Sequence, residues 1–127
     1  MAFERTEADG GLPRIEGFRG KGIVVAGEVW NGGFLICGEQ LWEVGEEGVN
    51  AVETTLFEPL LQMETRPDVL LIGTGSAMKW PDFSLLEDVR SMGLEPEVMD
   101  SRAAARTYNL LLAEGRAVAA LILPLNA

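Results

Sequence analysis

The stretch Val69-Leu70-Leu71-Ile72-Gly73-Thr74-Gly75 decides the fold. Four apolar residues in a row show no alternation, with Pro67-Asp68 before them and glycines after. Such a run is the pattern of a strand buried on both faces, as in a parallel sheet covered by helices. Working outward, residues 95–99 and 117–123 read as two more strands, the last ended by Pro124. Ser84 and Glu87 have capping-box spacing, which sets a helix over residues 85–92 with Gly93 as its stop. Asp100-Ser101 supplies the N-cap of a stronger helix over residues 101–114, favoured by Ala103, Ala104 and Ala105 and ended by Gly115. Strands alternating with helices imply parallel pairing, so the C-terminal half is a β-α-β-α-β unit.

Upstream the pattern changes. Residues 15–44 are short apolar stretches cut by glycine, which reads as an antiparallel β-meander forming a second layer. The Asn31-Gly32 pair tolerates positive φ and suits a tight turn between antiparallel strands. Residues 45–50 form an acidic connector, and Glu58-Pro59 opens a short helix through Met63. Residues 1–13 are polar and read as a loosely ordered arm. The whole chain is expected to form one α/β domain.

Composition narrows the function classes. With 20 acids against 10 bases the formal net charge is −10, which opposes binding to nucleic acid. Residues 22–65 contain no Lys or Arg but eight glutamates, either a solvated acidic face or a docking surface for a basic partner. The chain has no histidine and one cysteine, Cys37. His/Cys metal sites and histidine-based catalytic triads are therefore excluded, and no internal disulfide can form. No stretch is long and apolar enough to span a membrane, and the first residues lack the pattern of a targeting peptide. The expected location is the cytoplasm.

Four strings in order carry a family resemblance: Leu70-Leu71-Ile72-Gly73-Thr74-Gly75, Glu97-Val98-Met99-Asp100-Ser101, Arg106-Thr107-Tyr108-Asn109, and Glu114-Gly115-Arg116 running into Ala119-Ala120-Leu121-Ile122. They resemble a small domain family that includes a mitochondrial complex I assembly factor, a human adipogenesis-associated protein and many uncharacterised bacterial members. The resemblance covers most of the chain from about Ile15 and makes it look like a bacterial member. It implies a three-layer β/β/α fold and a role in binding protein partners rather than catalysis; no cofactor is expected.

Several residues are candidates for a site. Gly73, Thr74, Gly75 and Ser76 lie at the carboxyl end of a buried strand, where open parallel sheets bind ligands. A dinucleotide loop needs a third glycine where Met78 stands, so the glycines read first as devices for a tight backbone turn. The connection over residues 74–83 is long for a strand-to-helix loop and carries Lys79 and Trp80, a cation and an aromatic suited to a contact surface. Arg106 and Asn109 share a helix face with Arg102, and Arg116 opens the next strand. Together Arg106, Asn109 and Arg116 could hold a small anion, or they cap carbonyls and pair with acids such as Asp100 and Glu114. Asp100 itself reads as an N-cap, and Trp30, Phe34 and Trp42 as core. Any general base would be a carboxylate, Lys79 or Tyr108. The leading expectation is a non-enzymatic binding protein, and the alternative is a domain for a small anionic metabolite or nucleotide at the mouth of the parallel sheet.

Overall fold

The N-terminal strands pair in sequence order in the computed structural model, which describes residues 11–45 and 47–126. β1 (Ile15–Arg19), β2 (Gly22–Val25) and β3 (Glu28–Trp30) form a small antiparallel sheet. Its strands alternate, so Ile15, Ile23 and Val25 are buried while Glu16, Arg19 and Glu28 face solvent. One face of this sheet needs covering and the other does not.

β4 (Gly33–Cys37) differs, because all five of its residues are buried. It cannot lie in a one-faced sheet, and it leaves β3 to enter the main sheet. β5 (Gln40–Gly45) follows it there as an antiparallel neighbour. The Asn31-Gly32 pair is therefore the passage between two sheets and not a hairpin turn, which corrects the sequence expectation. The hairpin preceding it is built instead by Ala26 and Gly27, both left-handed with φ of 51° and 80°.

Two 3-10 turns, Val49–Ala51 and Thr54–Phe57, lead into the short helix α1 (Glu58–Leu61). Then come β6 (Val69–Gly73), α2 (Phe83–Ser91), β7 (Glu95–Met99), α3 (Ser101–Ala113) and β8 (Val118–Ile122). The main sheet has the order β5-β4-β8-β6-β7. Its three C-terminal strands are parallel, with β6 between β8 and β7, as the apolar runs predict.

The result is a three-layer α/β fold. On one face of the main sheet Phe34, Ile36, Leu71 and Ala120 pack with the small sheet and with Ala104, Ala105 and Tyr108 of α3. On the other face Leu35, Leu70, Ile72 and Leu121 pack with Phe57, Leu60 and the Leu85, Leu86 and Val89 face of α2. Trp30 meets Phe34 edge-on with ring centres 5.7 Å apart, so these two residues belong to the core as expected.

Two local readings change. α2 starts at Phe83, with Asp82 at its N-cap and Ser84 already inside, so Ser84 and Glu87 are not a capping box. Buried Pro81 sets the direction of the chain just before the helix. The Asp82 carbonyl accepts from the N–H groups of Leu85 (3.1 Å) and Leu86 (3.4 Å), closing the first turn through the backbone alone. At the N-terminus, residues 1–10 of the expected arm lie outside the described residues. Gly11 and Pro13 are buried and Leu12 packs on the core, so residues 11–13 are held rather than loose.

Candidate functional site

The parallel strands deliver their carboxyl ends to one edge, and the start of α3 lies across it. Gly73 is required there, because a Cβ would stand 2.9 Å from Ser101 Cα and 3.0 Å from Ala104 Cβ. Ser101 is fully buried. Its hydroxyl donates to the Leu123 carbonyl (2.6 Å) and accepts from the Gly75 N–H (2.8 Å), while its own N–H donates to the Gly75 carbonyl (2.8 Å). The Thr74 N–H donates to the Met99 carbonyl at 2.9 Å. The Asp100 carboxylate accepts from the Ala103 N–H at 2.8 Å, the N-cap expected of it. The N–H groups of Thr74, Gly75, Ser101 and Ala103 at this edge are thus already engaged, and a carboxylate occupies the helix terminus.

Beyond Gly75 the chain turns outward. The Thr74 hydroxyl donates to the Ala77 carbonyl (2.8 Å) and accepts from the Lys79 N–H (2.9 Å), which fixes the first turn of the loop. Buried Pro81 fixes its end. Between these anchors Ser76, Ala77, Met78, Lys79 and Trp80 are all exposed. Trp80 is 68% exposed, Phe83 70% and Met78 43%, so three large apolar side chains stand in solvent on and beside one pinned loop.

Of the sequence candidates, Gly73, Thr74, Gly75, Ser76, Lys79 and Trp80 are thus brought together in this loop. Arg106 and Asn109 lie elsewhere, on the side of α3 that meets β1. The Asn109 carboxamide accepts from the Ile15 N–H (2.9 Å) and donates to the Ile15 carbonyl (2.7 Å), clipping the edge strand to the helix. Arg106 lines a shallow groove of about 210 Å³ with Phe18 and Arg102, whose guanidinium sits 5.5 Å above the Phe18 ring. Arg116 is at the far end of α3, in a separate cleft of about 940 Å³ walled by Leu12, Trp42, Met63 and Pro59. Arg102, Arg106 and Asn109, the set that helical spacing puts on one face, do line one groove, while Arg116, added from the start of the next strand, does not converge with them. The sequence reading missed Phe83, which it left outside the helix, and Met78 and Ser101. An apolar residue directly before a run of Leu85, Leu86 and Val89 already carried a signal, because it falls off their buried face.

Tyr108 is fully buried and its hydroxyl has no hydrogen-bond partner among the described residues. Burial, and to a lesser degree the charge of a Cys37 thiolate, push its phenol well above the usual range. Burial alone pushes the Cys37 thiol up to about 11. Both groups stay protonated at neutral pH, which leaves Tyr108 unable to act as a base there. Among the described residues no three His, Cys, Asp or Glu side chains are placed to share a metal ion, and no helix is long and apolar enough to cross a membrane.

Residues 15–123 match the family described as Protein of unknown function (DUF498/DUF598). The chain belongs to this family. The resemblance carried by the four sequence strings is therefore borne out. An uncharacterised relative from Rhodobacter capsulatus is 34% identical over 119 residues, covering 91% of this chain and 87% of that protein. The NADH dehydrogenase (ubiquinone) 1 alpha subcomplex assembly factor 3 of Xenopus tropicalis is 29% identical over 113 residues. That match covers 87% of this chain but 60% of the assembly factor, so the chain spans about three fifths of that relative. A crystal structure from Bordetella parapertussis superposes with a TM-score of 0.79 at 28% identity, covering 89% of this chain and 96% of that one.

Proposed function

We propose that this protein acts by holding a protein partner, without catalysis of its own, through the loop that displays Met78, Trp80 and Phe83. The observation that carries the reading is the loop's construction. Thr74 and Pro81 pin its ends while its large apolar side chains remain exposed. A free chain gains nothing from leaving these side chains in water, whereas a preordered aromatic surface loses little entropy when a partner covers it. Tryptophan, with its large rigid surface, is enriched among residues that dominate interface energies. Likeness to an assembly factor of NADH dehydrogenase supports the same class of role, and by that likeness the process served is assembly of a membrane respiratory complex. The alternative, a small anionic ligand at the sheet mouth, has less support because Asp100 and Ser101 already engage the groups such a ligand would need.

Quantitative affinity capture from the native cell tests the proposal, with Trp80→Ala and Phe83→Ala beside the unaltered chain. Both variants are expected to keep the parent melting temperature and to lose the same partner by about tenfold or more. An identical captured set from all three proteins would sink the loop as the contact. A thermal shift with inorganic phosphate that both variants retain, with the captured set unchanged, would favour the anion reading instead.

A further inference from the structure

The loop's surroundings bear on what kind of chain covers it. Next to Phe83 runs a groove of about 320 Å³ lined by Glu53, Thr54, Asp82, Ser84, Leu85 and Asp88. Among the described residues no lysine or arginine lines it, in keeping with the base-free stretch of residues 22–65. Asp82 holds the N-cap position of α2, yet its carboxylate makes no bond to the helix. Such a carboxylate normally caps an N–H group, and here the backbone closes the turn without it, while Asp82 is exposed. Asp88 accepts from the Thr54 hydroxyl through one oxygen, at 3.2 Å. Three carboxylates thus line a groove at the start of α2, where Phe83 is exposed, with Met78 and Trp80 exposed on the loop before it and Lys79 the cation within that loop.

We infer that the contacting segment of the partner is basic and amphipathic. Its apolar side chains seat on Met78, Trp80 and Phe83, and its lysines or arginines reach into the groove toward Asp82, Asp88 and Glu53. This rests on the reading of the loop as the partner contact. Charge complementarity selects the occupant, because an acidic or uncharged segment leaves three clustered carboxylates without a counter-charge. A second copy of this chain does not fit. A two-fold contact through this face sets each acidic groove against its own image. A contact with the arginine side of α3 uses two different surfaces and leaves both free to propagate.

Three labelled synthetic helices serve as probes: one with leucine and lysine on opposite faces, one with glutamate replacing lysine, and one lysine-rich without apolar residues. Anisotropy titrations at low and high salt are expected to show binding of the first alone, weakening as salt rises. Trp80→Ala and Phe83→Ala should each weaken it by about tenfold. Asp82→Lys should weaken it by roughly threefold or more, while Glu95→Lys, an equal charge change on exposed β7, should not. Equal loss in both lysine variants, or equal binding of the lysine-rich helix, shows general attraction to an acidic protein and overturns the inference. Trp80-dependent binding of the glutamate helix also overturns it but leaves the loop standing as a protein contact. Trp80-dependent self-association in sedimentation, or Trp80-dependent binding to phosphatidylcholine–phosphatidylglycerol vesicles, likewise rules out the basic partner.

Discussion

The two halves of the connection after β6 have opposite physical roles. Gly73, Thr74 and Gly75 are buried, and their backbone groups bond to Met99 and Ser101. A few residues on, Met78, Trp80 and Phe83 are held out in solvent. The first half is where glycines suggested a ligand loop, and the fold uses Gly73 for close approach of α3 and Gly75, at φ 112°, to turn the backbone. The second half has no glycine signature and carries the surface we assign to partner binding. A short backbone motif at the mouth of a sheet can thus be wholly structural, while a function lies in the side chains it positions.

Five substitutions test that contrast and the core around it. Gly73→Val puts side-chain atoms where even a Cβ is 2.9 Å from the α3 backbone. It should cost about 3 kcal/mol or more, read as a lower urea midpoint or as failure to fold. Ser101→Ala leaves the Gly75 N–H and the Leu123 carbonyl without their buried partner and should cost about 2 kcal/mol in the same measurement. An unchanged midpoint in either variant would remove the distinction between the two halves.

Tyr108→Phe deletes a buried hydroxyl that bonds to none of the described residues and should raise stability by about 1 kcal/mol near neutral pH. Tyr108 and Cys37 both keep their protons in the fold at pH values where the unfolded chain gives them up. Stability is therefore full below pH of about 9 and falls as pH rises toward about 11. The phenylalanine variant should flatten that alkaline loss, leaving the part due to Cys37, in melts across this range. The smallest effect is expected outside the core. Trp80→Ser and Phe83→Ser should change unfolding free energy by no more than about 0.5 kcal/mol. A larger loss would mean that these side chains support the fold, and the surface role would have to be dropped.

The parallel half of the fold was legible because its signals are local. Val69-Leu70-Leu71-Ile72 has no polar face to turn to water, and Asp100 caps α3 by reaching Ala103 within the same turn. The same logic, applied to Phe34-Leu35-Ile36-Cys37, marks β4 as a strand buried on both faces. The meander reading passed over it because Asn31-Gly32 looked like a hairpin turn. The Ser84 cap failed for a related reason. A side chain that can cap does so only if the preceding backbone leaves the helix there, and Pro81 moves that point to Asp82.

The sequence by itself determined the buried strands, the strong C-terminal helix, the absence of histidine chemistry and the acidic, base-free stretch of residues 22–65, because period, composition and capping act over a few residues. Only the tertiary structure decided the rest. It split the antiparallel strands between two sheets and separated Arg116 from Arg106 and Asn109. It also buried Gly73 under Ser101 while leaving Trp80 and Phe83 uncovered. Each of these depends on which surfaces meet across the main sheet, and helical spacing or a glycine pair carries no information about contacts between residues far apart in the chain.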